Sequence, residues 1–409
     1  MTLPFSGLRV IDLTTVIAGP YCTYQLALLG AEVIKVETPN GGDLARRLGA
    51  DPALNALDMG ASYLGMGAGK RSVTLNLKSG GGVEIFRRLT ETADVLVENF
   101  RPGVMARLGL DYETLRAIRP GLIYCAITGF GQHGTYREKP AYDQIVQGLS
   151  GAMSATGDAA SGPMRSGYPI SDTVAGINAA FAIAAALTQR LRDEAGGDGG
   201  AAVEGQFIDV SMLDSVFSIM GWVTTNYLIA HQPPVPSGND NFTASPSGSF
   251  RARDGLINIA ANNPTQFKAL CEALGLPELA ADPRFAGPEE RLQHREALTA
   301  ELEKVLCQRD GNQWVEQLNA AGVPSGPVLT LEQAMALPPV KERGSVRRID
   351  SVPGLERPID VFTAGFQLSG GAPQVGNPPP RLGADTEAVL SSLGYSEEEI
   401  AGFRDDGAI

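Results

Sequence analysis

The chain has 409 residues, 43% of them hydrophobic and 19% charged, with 46 acidic against 33 basic side chains for a net charge of −13. The apolar fraction is that of a globular protein and the length suits two domains, perhaps three, so disorder is excluded. The acidic balance argues against a nucleic-acid partner, which needs a basic face, but leaves room for a local basic pocket. Glycine is abundant, with 49 residues and no Gly-X-Y period, which points to tight turns and close backbone approach.

In chain order, the first 130 residues alternate strand and helix patterns. Leu8–Leu13 reads as a strand, Pro20–Leu29 as a helix closing on Gly30, and Glu32–Val36 as the next strand. Further strands are predicted at Ser72–Leu77, Asp94–Val97 and Leu122–Ile127, with helices at Val83–Glu91 and Val104–Ile118. Strands separated by helices of this length specify a parallel sheet with right-handed crossovers. Such sheets bind ligands beyond the carboxyl ends of their strands. A long Ala-rich helix follows at Asp172–Arg192, its greasy part, Val174–Leu187, too short to span a membrane and read as buried. It ends in Ala195-Gly-Gly-Asp-Gly-Gly200, a loop by composition. Phe207–His231 is read as helical.

Pro233-Pro234-Val235-Pro236 then interrupts the chain and marks a candidate boundary. Gly248–Ala252 and Leu256–Ala261 flank Arg253-Asp254-Gly255 as a hairpin. Helices are expected at Pro264–Leu274, Arg291–Leu306 and Gly311–Ala320. After Gly322–Val328 turn-rich strands return, and two short helices close the chain near Thr386–Leu393 and Glu397–Phe403. The expected division is a large domain from residues 1–215, a smaller α+β domain from 216–330, and a return to the large domain over 331–409.

Cys22, Cys125, Cys271 and Cys307 are widely spaced, which suggests neither a zinc site nor a disulfide framework. With three histidines, His133, His231 and His294, a His-rich metal centre is excluded. Cys22 and Cys125 lie in apolar surroundings and read as core; His133 reads as a loop residue. The N-terminus lacks a basic region followed by an apolar stretch, so no signal peptide is expected and the cytoplasm is the expected location.

The first βαβ unit invites a dinucleotide reading, since Glu37 stands where an acidic residue would hold a ribose. Its loop, Thr14–Pro20, has one glycine and no GxGxxG, so the pyrophosphate cradle is absent and an ordinary parallel sheet is the stronger reading. Basic residues at strand ends come next: Lys70, Arg71, Lys78, Arg101 and Arg107. Gathered in one crevice they suit a phosphate-bearing ligand, with Phe100 over an aromatic base; otherwise they are solvated surface. Asp172 is the sharpest single residue. Ser171-Asp172 immediately precedes the long helix, where both residue types cap by accepting backbone N–H bonds. A helix N-terminus also keeps a carboxylate ionised, as a nucleophile requires. The two readings are compatible. Gly131, Gly134, Gly148 and Gly151 surround Ala141-Tyr142-Asp143, for ligand approach or for turns.

Taken together these segments resemble the class III CoA-transferase family, which includes formyl-CoA transferase, carnitine CoA-transferase and α-methylacyl-CoA racemase. The resemblance is carried by Gly7–Leu13, Ala18-Gly-Pro20, Leu29–Glu37, Lys70-Arg-Ser72, Asp94–Gly103, Thr128–Gly131, Ile208–Asp214 and Gly322–Val328. It implies a Rossmann-like large domain, a smaller domain, and a homodimer of two interlocked chains. It implies that Asp172 is the nucleophile, forming an acyl anhydride and then an aspartyl-CoA thioester. It implies CoA contacts at Ile17, Ala18, Leu75, Asn76, Leu77, Lys78, Asn99, Phe100, Arg101, Arg107 and Lys139, with acyl-CoA as substrate and no tightly bound cofactor or metal. Several basic positions are thereby assigned to ligand.

Three departures bear on the acceptor acid. Ile17 stands where formyl-CoA transferase has a Gln, Thr38 where a family Arg often approaches the nucleotide, and residues 238–246 lack the tetraglycine loop of formyl-CoA transferase. A formyl-CoA/oxalate pair is thus disfavoured; the acceptor stays open, and what is frequent in the family it resembles puts dicarboxylates such as succinate, or similar organic acids, first. The racemase branch is the enzymatic rival, but Tyr142 stands where its His would be, and a phenol of ordinary pKa about 10 is a poor base near neutrality. A silent CoA-binding protein is the non-enzymatic rival.

Overall fold

The computed structural model describes residues 2–196 and 204–409. The glycine-rich loop expected at 195–200 lies largely outside the described residues. The chain divides into two compact units. One comprises Met1–Ala152, Arg165–Gln232 and Arg343–Ile409; the other comprises Met153–Met164 and Pro233–Glu342.

The first unit is built on a six-stranded sheet, every neighbouring pair parallel. Its strands are β1 (Arg9–Leu13), β2 (Glu32–Glu37), β3 (Lys70–Thr74), β4 (Val95–Glu98), β5 (Ile123–Thr128) and β6 (Phe207–Ser211). They lie in the order β3-β2-β1-β4-β5-β6, the order of a doubly wound dinucleotide-type sheet. The order reverses direction between β1 and β4, so the loops that follow these two strands diverge and leave a crevice at the carboxyl edge. Successive side chains point to opposite faces, and both faces are covered. Val10, Val33, Val95, Val97 and Cys125 pack on one face under helix α1 (Ala18–Leu28) and the helix Ile170–Gly196. Ile11, Ile34, Val73, Leu96 and Tyr124 pack on the other, with Phe86, Leu115, Val389 and Leu390. The last two come from the C-terminal helix Thr386–Ser392, which returns the chain to this unit.

Three sequence expectations change here. Phe207–His231 is not one helix. Residues 207–211 form β6 on the free edge of β5, followed by helices Met212–Ile219 and Trp222–Ala230. The run FIDVS alternates on a period of two, but its apolar neighbours mask it in a longer helical window. The helix expected at Val104–Ile118 is two, Val104–Arg107 and Tyr112–Ile118: Gly109 takes φ +66°, and the Asp111 carboxylate accepts the Thr114 N–H to start the second. The helix Ile170–Gly196 is longer than expected, 27 residues, and among the described residues it alone is long and apolar enough to cross a membrane. Its buried positions, Val174, Ala175, Ala179, Ile183 and Leu187, pack into the core of this unit.

The second unit holds an antiparallel sheet of β7 (Ser247–Arg251), β8 (Leu256–Ala260) and β9 (Ser325–Pro327). β7 and β8 form the expected hairpin. Phe250, Ile257 and Ile259 from the sheet pack with Phe267, Leu270, Leu302 and Trp314 from the helices Pro264–Leu274, Arg295–Leu306 and Gly311–Ala320. The helix expected from Arg291 is interrupted at His294 and begins anew at Arg295. Its main segment runs from Pro233 to Glu342, where the sequence suggested 216 to 330, and Met153–Met164 joins it from within the expected large domain. Val216, at the expected boundary, is buried in the core of the sheet unit, and the chain stays in that unit to Gln232. A two-stranded hairpin, β10 (Val346–Ile349) and β11 (Ile359–Phe362), belongs to the first unit.

Candidate active site

The crevice between β1 and β4 is shaped first by its backbone. After Leu13 the chain turns through Thr14–Ile17 into α1. Gly19 permits that turn: a Cβ there would lie 2.2 Å from the Thr14 side chain. Asn99, just past β4, clasps Thr15 from both sides: Thr15 N–H donates to Asn99 Oδ1 at 2.8 Å, and Asn99 Nδ2 donates to the Thr15 carbonyl at 2.9 Å. The loops that follow β1 and β4 are thereby fixed to each other.

Beneath them lies a buried ionic network. Lys70 Nζ meets Asp12 Oδ2 at 2.9 Å, Lys35 Nζ meets Asp43 Oδ2 at 2.9 Å, and Arg46 grips Glu37 through two bonds of 2.7 Å. Burial alone would push the Asp12 carboxyl up; Lys35 and Lys70 outweigh it and hold it well below the usual range. Burial likewise opposes charge on Glu37, and Arg46 and Lys35 more than offset it. At Glu37 this bears out the stronger reading, an ordinary parallel sheet, and it takes Lys70 and Arg71 out of the group of basic residues considered for a phosphate crevice. Glu37 is saturated by Arg46, Ser72 Oγ and the Asp43 N–H, so it is not free to hold a ribose. Lys70 is a buried structural cation, and Arg71 pairs with Glu32 at 2.9 Å; both start β3, away from the carboxyl edge.

Asp172 stands in the first turn of the helix Ile170–Gly196, not before it. Thr173 N–H already donates to the Pro169 carbonyl, so the helix begins earlier than the capping reading assumed. The Ser171 hydroxyl donates to the Asp143 carbonyl oxygen, not to the cap. Gly176 lies one turn further on the same face as Asp172. A Cβ at Gly176 would fall 2.5 Å from the Ala18 carbonyl oxygen, so only glycine lets this helix backbone lie against the start of α1. That close approach puts Asp172 in the same cavity as Ile17 and Ala18.

The electrostatics of Asp172 differ from the expectation of an ordinary ionised carboxylate. Burial, and then the neighbouring Asp143, push its pKa up to about 7. Desolvation and a like charge exceed what one helix terminus supplies. Asp143 is held in place: its Oδ1 accepts the Ser171 N–H at 2.9 Å and its Oδ2 accepts from Gln147 Nε2 at 2.7 Å.

Three cavities run along the carboxyl edge. One of about 450 Å3 contains Asp172 together with Ile17, Ala18, Asn99, Phe100, Arg101 and Lys139, and also Arg137 and Tyr142. A second, about 510 Å3, shares Thr15, Gly42 and Phe100 with it and is lined by Leu75, Asn76, Leu77 and Lys78, with Thr38. A third, about 1010 Å3, shares Leu77 and Lys78 with the second and adds Arg87, Arg88 and Arg107. Every residue that the family resemblance assigned to the site therefore lines one of these three cavities, and Lys70 and Arg71 line none of them. The largest of the three does not hold the Asp172 carboxylate, which lies in the first. Arg137 and Asp143 were not singled out as site residues from the sequence. They sit in a glycine-rich stretch where neither helix nor strand period marks a face. Cys22 and Cys125 are fully buried, and burial pushes both thiols up, so neither is a nucleophile. His133 is exposed in its loop.

Residues 5–386 match the model of CoA-transferase family III. The chain is 37% identical to a succinate–glutarate CoA-transferase of Agrobacterium fabrum, over 95% of this chain and 96% of that one. It is 40% identical to an acetyl-CoA:oxalate CoA-transferase of Acetobacter aceti, over 88% and 89%. A CAIB/BAIF family protein from Brucella suis superposes with a TM-score of 0.83 at 34% identity, covering 96% of this chain and all of that one.

Proposed function

The chain belongs to CoA-transferase family III, and from that premise we propose that it moves coenzyme A from an acyl-CoA to a dicarboxylic acid through covalent intermediates on Asp172. The observation that carries this reading is the position of Asp172 in the cavity at the crevice between β1 and β4, opening toward basic side chains.

The ionised Asp172 oxygen attacks the thioester carbonyl; the C–S bond breaks and CoA leaves as thiolate. The thiolate attacks the aspartyl carbonyl of the resulting anhydride, releasing the donor acid and leaving an aspartyl-CoA thioester. The acceptor carboxylate attacks that thioester, CoA thiolate leaves again, and it then attacks the acceptor side of the new anhydride. Acyl-CoA forms and Asp172 is regenerated. Water takes no part, and the thioester energy is kept. Lys78 and Arg107 receive the nucleotide phosphates, Arg101 and Lys139 the pyrophosphate side. Arg137, in the Asp172 cavity, exchanges its exposed partner Glu138, 3.1 Å away, for the far carboxylate of the acceptor, to which a planar guanidinium is suited. Relatives bearing succinate, glutarate and oxalate in their names support a dicarboxylate.

We also propose that the working form is an interlocked homodimer. Ile177, Phe181, Leu228 and Ile229 stand exposed on the helices of the sheet unit, Phe181 at 74% and Ile229 at 79%. Large exposed apolar side chains in that density mark a protein interface. The four free cysteines suit the reducing cytoplasm.

The test is chemical. After incubation with succinyl-CoA, mass spectrometry of the peptide containing Asp172 should show a CoA adduct on that residue, and hydroxylamine trapping should convert the residue to its aspartyl hydroxamate. Full transferase activity in Asp172→Ala would reject the mechanism.

A further inference from the structure

Val16 has φ +68°, in the left-handed region. For a β-branched residue this is a genuine outlier, and such strain persists only where the surroundings over-determine it. Here they do. Asp43 Oδ1 accepts the Val16 N–H at 2.9 Å and also the Ala45 N–H at 2.9 Å. Asp43 Oδ2 faces Lys35 Nζ at 2.9 Å, and Lys35 Nζ donates to the Thr14 carbonyl at 2.7 Å. Asn99 holds the peptide groups of Thr15 between them. Three successive residues are thus held by side chains from β2, from the loop after β2 and from the loop after β4. Asp43 and Lys35 are 2% and 1% exposed, so water does not compete for these bonds. The next two residues, Ile17 and Ala18, line the cavity with Asp172.

We propose that Asp43 is a positioning residue for acyl transfer: it holds Val16 in its strained conformation and so fixes Ile17 and Ala18 against Asp172. This rests on Asp172 as the nucleophile. The bland role for Asp43 is a cap for the short helical turn Leu44–Arg47, which its bond to Ala45 also performs. The two roles separate through Val16. Glycine takes positive φ about as readily as negative, so Val16→Gly keeps the loop in place without a clamp.

The experiment compares Asp43→Ala and Asp43→Asn, each alone and with Val16→Gly, against Val16→Gly alone. The readouts are kcat, KM for the CoA ester, and the rate of adduct formation on Asp172. Asp43→Ala should lower kcat and the adduct rate by about a hundredfold, the scale of a small misplacement near a reacting centre. KM should change less. Asp43→Asn, which keeps an oxygen for Ala45 and for Val16, should lose less and covers the case in which the alanine variant does not fold. Adding Val16→Gly should restore about tenfold of the loss, as expected when the productive backbone is again populated. Rates of both single variants within about twofold of wild type would overturn the proposal. So would a loss that Val16→Gly leaves untouched, the pattern of a cap alone. If the wild-type protein forms no adduct on Asp172, it is the nucleophile reading that fails.

Discussion

The raised pKa of Asp172 makes its carboxylate a cost to folding at neutral pH, and Asp172→Asn should remove that cost. The shift runs from the ordinary 3.8 to about 7, caused first by burial and then by Asp143. Between these values the unfolded chain has lost the proton that the folded chain keeps. Stability from this group is therefore complete below pH 3.8 and declines up to about pH 7, where the folded carboxyl also ionises. At about 1.4 kcal/mol per unit the full shift is worth about 4 kcal/mol. The side chain opens on a cavity, and screening by water reduces this to about 2 kcal/mol. For a chain of this size that is an increase of about 2–3 °C in the midpoint of unfolding. Thermal melts of wild type and Asp172→Asn should lie closest at or below pH 3.8 and separate as pH rises to 8, with the variant more stable while inactive. Parallel melts across the whole range would refute the account of Asp172 as a desolvated acid beside a second carboxylate. A variant less stable at pH 8 would do the same.

The same shift predicts that the first acylation rises with pH through about 7, and that Asp143→Asn moves this limb to lower pH by removing the like charge; pre-steady-state release of CoA reads it. Gly176→Ala should lower kcat and cost about 1–3 kcal/mol, since its methyl group must push the nucleophile helix away from Ala18; denaturant melts and kinetics on one preparation check both. Lys78→Ala and Arg107→Ala should raise KM for the CoA ester with little change in kcat, because a contact far from the reacting bond is present in ground and transition states alike. Arg137→Met should raise KM for a dicarboxylate acceptor more than for a monocarboxylate; initial rates with paired acids of similar length decide it.

Much of this protein is legible along the chain. The short, mostly apolar and β-branched runs at Val10–Leu13, Val33–Val36 and Val95–Val97, separated by helical stretches, point to a parallel sheet before any contact is known, although the first two carry Asp12 and Lys35. The order of quoted segments carries the family, and with it Asp172. Other features depend on partners distant in sequence. β6 exists because β5 offers a free edge to Phe207–Ser211, which no local window registers. Lys70 looked like a ligand for phosphate until the fold set it against Asp12, 58 residues away. Asp172 looked ionised at a helix start until packing against α1 desolvated it and Asp143 came alongside. Local periodicity reports which face of an element is buried. It does not report which charges share that burial, and the pKa of Asp172 and the strain at Val16 are set by those long-range neighbours.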